Sequence, residues 1–314
     1  MTPQRPITIA VLYPGDMGAA LASVLVSRGH RVVTTLSGRG EQTAARARQA
    51  RIEVLPSLAD VVRLANIVLS VVPPAAAEAT AAAYCALAKT APDHALFVDV
   101  NSIGPELATT IFATLRDAGV SFVDAAVNGL AKNLTKSGTL LLSGERADEV
   151  WQLFGDSVRV RVLGREVGQA STMKMLLAGL SKGLCGLFAE LALVARRRGM
   201  LDEMLEVSQQ IYPGMMLVVD RMLPTYAQHA ERRATEMNEL QETARNAGIE
   251  PCVIDAVRRL HEEMASASVG ATGQTNDFTV AALIQRLADE GVLDGGAALM
   301  GEAKSKRSTR TNKE

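Results

Sequence analysis

The sequence predicts an α/β domain with a doubly wound parallel sheet, followed by an all-α domain. In the first half of the 314-residue chain, short β-rich runs alternate with helical stretches, which is the pattern of a parallel sheet covered on both faces. Beyond about residue 167, strand patterns stop and helical periodicity takes over. We therefore place the first domain at 1–165 and the helical domain at 166–303. The polar, basic stretch 304–314 is expected to be disordered.

The elements of the first half follow in the order strand, then helix. Runs rich in β-branched and apolar residues predict strands, and amphipathic stretches between them predict helices. The predicted strands are 7–12, 31–36, 67–72 and 95–100, with 121–125, 139–143 and 158–162 extending the sheet. The predicted helices are 17–28, 41–49, 75–89 and 105–118.

The second half is predicted to contain helices only. Glycine, proline or helix-capping residues separate its periodic segments. These segments are 168–198, 202–211, 226–247, 252–267 and 277–290.

Composition excludes several classes of protein. With 48% hydrophobic and 21% charged residues and a net charge of −1, the chain is an ordinary globular one with no sign of nucleic-acid or anionic-membrane binding. Its three scattered cysteines fit neither a disulfide framework nor a metal site, so we expect no metal and a cytoplasmic location. The strand that begins at residue 7 leaves no room for a signal peptide, and no apolar run reaches ~18 residues, so no transmembrane helix is expected.

A strand, a tight turn and a helix begin the chain in the segment ITIAVLYPGDMGAALASVLVSRGHRVV. This is the Rossmann-type arrangement that binds dinucleotides. Gly15 would let the backbone approach a pyrophosphate, and Gly18 would let the helix pack closely on the strand. The expected first glycine is Tyr13 instead. The candidate cofactor contacts of the turn are Tyr13, Pro14, Gly15, Asp16 and Met17.

The end of the second predicted strand indicates which cofactor is bound. An acidic residue there would bind the adenosine ribose and favour NAD. The sequence is TLSGR, in which Ser37 and Arg39 can bind a 2′-phosphate. The alternative is that Arg39 is a solvated loop residue. The sequence therefore favours NADP over NAD.

Further motifs follow in a known order. They are VVPP at residues 71–74, VDVNSIGPELA, FVDAAVNGLAKNLTKSGTLLLSG and VGQASTMKMLLAG. Over roughly residues 6–200 the chain resembles the β-hydroxyacid dehydrogenase superfamily, which includes 3-hydroxyisobutyrate and 6-phosphogluconate dehydrogenases. The resemblance implies that helical domains pack as a homodimer. It also implies cofactor contacts from Val72, Pro73 and Asn101, a carboxylate site at Ser102, Asn128 and Gly129, and proton transfer by Lys174.

The chain departs from the family pattern at two places. Leu130 stands where the carboxylate loop usually has glycine. Beyond Lys174, Leu177 and Ala178 occupy the region of the usual asparagine, and Ser181, two turns on, could substitute for it. The helical part looks more like phosphogluconate-dehydrogenase-like proteins than the hydroxyisobutyrate type.

Two charged groups of the helical region are candidates for substrate chemistry. Lys174 stands in the apolar run MKMLL, where partial desolvation would suit an amine to proton transfer; the alternative is a lysine snorkelling at a helix edge. Arg232, Arg233 and Glu236 lie within about one helical turn. Arg233 could bind a second acidic group of the substrate, or these residues could form a solvated salt-bridging face.

These observations predict an NADP(H)-dependent oxidoreductase that acts on a small β-hydroxy acid or related carboxylate. The sequence does not separate a decarboxylating from a simple oxidation. The alternatives are an imine reductase of the same architecture and a non-catalytic NADP-binding sensor or scaffold.

Overall fold

The computed structural model describes residues 7–89, 95–267 and 279–294. The chain divides into two compact units, residues 1–176 and 177–314. The division falls inside one long helix, after Leu176. The predicted tail 304–314 lies outside the described residues.

The first unit is built on an eight-stranded sheet with the order β3-β2-β1-β4-β5-β6-β7-β8. Strands β1 to β6 pair in parallel, which confirms the predicted doubly wound sheet. β7 runs antiparallel to β6, and β8 pairs in parallel with β7. The strands are β1 Thr8–Leu12, β2 Arg31–Thr35, β3 Glu53–Leu55, β4 Ile67–Ser70, β5 Leu96–Asp99, β6 Phe122–Asn128, β7 Thr139–Ser143 and β8 Arg159–Gly164.

Helices cover both faces of this sheet. They are α1 Asp16–Ser27, α2 Glu41–Gln49, α3 Leu58–Leu64, α4 Ala77–Ala88, α5 Pro105–Asp117, α6 Leu134–Ser137 and α7 Ala147–Phe154, after which α8 begins at Gln169. The short elements β3, α3, α6 and α7 are not among the predicted ones. The others match their predicted positions to within a few residues.

Strand periodicity divides the apolar core between the two faces. Successive residues of β1 point to opposite sides: Ile9 and Val11 join one buried cluster, and Ala10 and Leu12 join the other. The first cluster includes residues of α1 and α7, and the second includes residues of α3, α4 and α5. The carboxyl ends of the parallel strands meet at one edge of the sheet, where binding sites of doubly wound folds lie.

The described residues of the second unit form helices and no strand, as predicted. Its helices are the remainder of α8 (Gln169–Arg197), α9 Leu201–Ile211, α10 Pro213–Met222, α11 Ala230–Asn246, α12 Cys252–Ser266 and α13 Val280–Asp289. Buried Phe188, Tyr226, Met264 and Leu283 belong to its single described core cluster. Helix α10, which starts at a proline, is not among the predicted elements.

Helix α8 leaves an apolar stripe exposed. Leu180, Leu187, Leu191 and Val194 are 73%, 58%, 50% and 55% exposed. Successive members of this stripe lie seven, four and three positions apart, a spacing that places them on one side of a helix. By length and apolarity alone α8 would suffice to cross a membrane, but core helices of soluble proteins pass the same test.

Candidate active site

The turn after β1 leaves the amino end of α1 open. Gly15 is the N-cap of α1, and among the described residues no side chain caps this end. Apart from the two neighbours of Gly15 in the chain, no described residue has an atom within 4 Å of where its Cβ would stand. At Gly18 a Cβ would come 3.3 Å from Val11 Cγ1, so the predicted close packing of helix on strand is confirmed. Pro14 is buried, Met17 partly buried and Asp16 exposed. Asp16 forms an ion pair with Arg46, in which Arg46 Nε lies 2.7 Å from Asp16 Oδ1.

The carboxyl end of β2 brings three predicted residues into one region. Ser37 and Arg39 are exposed in the loop that follows β2, where the amide of Arg39 donates to the carbonyl of Leu36 at 2.9 Å. The Arg39 guanidinium carbon lies 3.8 Å from the centre of the Tyr13 ring. This cation–π contact joins the turn after β1 to the loop after β2.

Asn101 is 2% exposed, and its side chain binds protein groups on all sides. Its Oδ1 accepts from the amide of Val72 at 2.6 Å, and its Nδ2 donates to Ser70 Oγ at 3.1 Å and to Asp99 Oδ2 at 2.8 Å. This predicted cofactor residue therefore fixes the loop after β4, where Val72 is buried and Pro73 exposed.

Asp99 ends β5 inside this network, and its carboxyl group is 1% exposed. Burial, with a small contribution from the charge of Asp124, raises the pKa of Asp99 to about 7. Hydrogen bonds from the backbone and side chain of Asn101 oppose the shift.

The residues predicted to hold a carboxylate are exposed at the same edge. Ser102 follows β5, and Asn128 and Gly129 stand where β6 ends. Gly129 has φ +138°, and a Cβ there would lie 3.0 Å from Gly138 Cα, so both its backbone angle and its close contact require glycine.

A buried carboxyl group of β6 caps the amino end of α8. Asp124, 1% exposed, accepts from the amides of Gly168 and Ser171, both at 3.0 Å. It also accepts from the hydroxyls of Ser171 at 2.6 Å and Ser143 at 3.1 Å. Ser143 in turn accepts from the amide of Ala170 at 3.0 Å. Unlike an ordinary N-cap, this one comes from a strand more than 40 residues earlier.

Lys174 lies one turn beyond this cap. It is partly buried, and its ammonium nitrogen donates to the carbonyl of Val127, the penultimate residue of β6. β6 thus holds the start of α8 at two points, Asp124 and Val127. The amine therefore lies at the carboxyl edge of the sheet, bound to the residue that directly precedes Asn128 and Gly129.

The remaining predicted residues belong to the second unit, and their substrate contacts stay predictions. Ser181 Oγ donates to the carbonyl of Leu177 at 3.0 Å within α8. Arg233 is 5% exposed and stacks 4.5 Å over the Tyr226 ring. Glu236 forms ion pairs with Arg232 and with the buried Lys182; Lys182 Nζ lies 2.6 Å from Glu236 Oε2. The Arg232–Glu236 pair fits the salt-bridging alternative.

Within the described ranges, no group of three or more His, Cys, Asp or Glu is placed to hold a metal ion. A nicotinamide dinucleotide fits the exposed groups of the first unit better. Open space at Gly15 and the uncapped first turn of α1 are what a pyrophosphate requires. The fold and this edge define a dinucleotide-binding protein of the Rossmann type.

Comparison with protein families identifies both parts of the chain. Residues 8–154 match the NAD-binding domain of 6-phosphogluconate dehydrogenase, and residues 195–264 match a domain of unknown function, DUF1932. The protein therefore combines a 6-phosphogluconate-dehydrogenase-type NAD-binding domain with a DUF1932 carboxyl-terminal domain.

Two relatives are similar to this chain over most of its length. An uncharacterized 28.5 kDa protein in the 7S RNA 5′ region of Methanothermus fervidus is 28% identical over 74% of this chain and 89% of its own. The solved conserved protein MTH1747, described as structurally similar to 3-hydroxyacid dehydrogenases, is 28% identical over 85% of this chain and 100% of its own, with a TM-score of 0.68.

Enzymes of known activity share the fold. Mycobacterium tuberculosis 3-hydroxyisobutyrate dehydrogenase is 18% identical over 90% of this chain and 99% of its own, with a TM-score of 0.72. Imine reductases solved with NAD⁺ or NADP⁺ share it as well, with a TM-score of 0.55. At these identities the likeness concerns the fold alone.

Proposed function

We propose that this protein is an NADP(H)-dependent oxidoreductase that acts on a small β-hydroxy acid or a related carboxylate, with Lys174 as the proton-transfer residue. One observation carries the proposal. The Lys174 amine is held on Val127 at the carboxyl edge of the sheet, the edge that also carries the dinucleotide turn. A proton donor or acceptor is thus available where this class of fold binds its cofactor.

The residues at this edge of the sheet would have separate roles in proton transfer and in substrate binding. Hydride transfer is what a bound nicotinamide supplies. Lys174 would take the proton from the substrate hydroxyl during oxidation and return it during reduction. The exposed Ser102 hydroxyl, Asn128 amide and Gly129 backbone would bind the substrate carboxylate through hydrogen bonds. Oxidation of a β-hydroxy acid gives a β-keto acid, which readily loses carbon dioxide, so the proposal covers reactions with and without decarboxylation.

The cofactor choice rests on the loop after β2. This loop has no acidic residue to bind a ribose diol, and it exposes Ser37 and Arg39. A charge-assisted hydrogen bond contributes about 1.5–3 kcal/mol, so Arg39→Ala should weaken NADP(H) binding about 10- to 100-fold and leave NAD(H) binding nearly unchanged. Fluorescence titration of both cofactors measures this; equal affinity of the parent for both would exclude the preference.

We also propose a homodimer and a cytoplasmic location. The exposed apolar stripe of α8 supports self-association, because monomeric proteins seldom leave such a surface uncovered. All three cysteines lie in described residues and are free thiols, as a reducing compartment favours.

Two other functions have less support. Imine reductases usually have another residue in place of the lysine, so Lys174 disfavours that activity. In a non-catalytic NADP-binding sensor, Lys174 would serve only to hold the start of α8 on β6. The test is a panel of hydroxy acids, sugar acids and cyclic imines followed by NADPH absorbance, with turnover of hydroxy acids expected. Turnover of imines alone would favour the reductase, and binding without any turnover would favour the sensor.

A further inference from the structure

The turn after β1 has an unusual residue pair, Tyr13 followed by Pro14. Tyr13 occupies the position of the first glycine of the dinucleotide turn, and Pro14 is buried. A residue before proline is confined to extended backbone conformations, so Pro14 restricts the direction of the Tyr13 side chain. The ring is partly buried against the core cluster that includes Leu12 and Val33. Tyr13 is therefore a fixed aromatic surface beside the cofactor turn.

Arg39 lies over this ring. Its guanidinium carbon is 3.8 Å from the ring centre, well inside the ~6 Å limit of a cation–π contact. The loop reverses at Gly38, with φ +71°, and the amide of Arg39 closes the turn on the carbonyl of Leu36. Both the backbone and the side chain of Arg39 are thus held at the carboxyl end of β2.

The contact leaves the hydrogen-bonding groups of Arg39 available. In the part of the chain that the structure describes, no carboxylate pairs with Arg39, whereas Arg46 pairs with Asp16 and Arg48 with Glu41. A carboxylate partner would use the N–H groups of the guanidinium, while an aromatic ring contacts its face and leaves the N–H groups at its edge free. An arginine held in this way is oriented before an anion arrives.

We propose that Tyr13 is a cofactor-specificity residue, whose ring holds Arg39 in position to bind the 2′-phosphate of NADP. The inference rests on the proposed use of NADP(H) and adds a positioning residue that the dinucleotide motif does not contain. Arginine loses considerable side-chain entropy when it is immobilised. Tyr13 lowers that loss upon binding, and the effect mainly concerns the phosphorylated cofactor, since NAD lacks the 2′-phosphate that Arg39 would bind.

The test is a set of equilibrium titrations with NADP⁺ and NAD⁺, which need no substrate. From the usual strength of cation–π contacts, Tyr13→Leu should weaken NADP⁺ binding about 3- to 30-fold more than NAD⁺ binding, because any direct contact of the Tyr13 side chain with the cofactor is common to both. Tyr13→Phe keeps the ring and should retain the parent affinity for both. In a double-mutant cycle, Tyr13→Leu should not lower the preference for NADP⁺ further in Arg39→Ala, because the residue that it positions is gone. Thermal unfolding shows whether each variant is folded, and Tyr13→Met replaces Tyr13→Leu if the latter is not.

Three results would overturn the inference. They are an unchanged NADP⁺ affinity in Tyr13→Leu, an equal loss of both cofactors, and additive effects of the two substitutions. A parent protein that binds NAD⁺ as tightly as NADP⁺ would instead refute the proposed cofactor choice and, with it, the inference. If Arg39→Ala weakens NADP⁺ binding as expected but the Tyr13 variants leave NADP⁺ affinity unchanged, only the role of Tyr13 is refuted.

Discussion

Removing the carboxyl group of Asp124 should loosen the amino end of α8, the helix that carries Lys174. In Asp124→Ala the amides of Gly168 and Ser171 lose their acceptor in a buried environment. Each unsatisfied amide costs about 1–3 kcal/mol, so we expect a destabilisation of about 2–6 kcal/mol. The hydroxyls of Ser143 and Ser171 can rotate to other acceptors and are not counted. Asp124→Asn keeps one acceptor oxygen and should cost less, about 1–3 kcal/mol.

Hydrogen exchange followed by mass spectrometry locates this effect. Amides in the first turns of α8 should exchange faster in both variants, and Asp124→Ala should show the larger change. Asp148→Ala is the matched control, because Asp148 is an exposed acidic residue in the first turn of α7. Its removal should stay within about 1 kcal/mol of the parent. If Asp124→Ala is no less stable than this control, or if exchange increases elsewhere but not in α8, Asp124 does not hold the start of the helix.

Two further predictions concern pH dependence and assembly. Because the folded-state pKa of Asp99 is raised to about 7 from 3.8, its protonated form stabilises the fold at low pH, and this contribution is lost as the pH rises between those values. Thermal unfolding of Asp99→Asn should lack this fall, which amounts to roughly 4 kcal/mol at most, and identical pH profiles would contradict the assignment. Leu187→Glu, in the α8 stripe, should lower the mass from dimer to monomer in light scattering, while Val54→Glu, at a residue 46% exposed on strand β3, should not. A monomeric parent at micromolar concentration would refute the proposed homodimer.

The sequence predicted the repeating part of the fold well, because apolar periodicity is strong there. Helix α8 is observed at Gln169–Arg197 and was predicted at 168–198. The short elements escaped prediction. Strand β3 has three residues, of which only Leu55 is buried, so it shows almost no periodicity. Helix α7 has only eight residues and follows a strand closely. Neither segment is long enough for its periodicity to distinguish a strand or a helix from a loop.

Hydrogen bonds between residues distant in sequence are the part of the site that sequence patterns do not reveal. Asp124 lies in the predicted carboxylate-loop motif, yet its role depends on amides 44 and 47 residues later. The cofactor contact of Asn101 stays a prediction, and the structure adds that its side-chain oxygen holds the loop after β4, through an amide 29 residues earlier. Tyr13 and Arg39 were each identified from the sequence, and only the three-dimensional structure shows that they contact each other.

Proton transfer by Lys174 is tested by the turnover of variants at this residue. Turnover of the folded Lys174→Ala protein should fall at least ~100-fold on the best substrate of the panel, with NADP(H) affinity unchanged, because the general acid or base is lost. Lys174→Arg should not restore activity, since a guanidinium does not give up its proton near neutral pH. A kcat of Lys174→Ala within a few-fold of the parent would contradict the account and show that the lysine is structural.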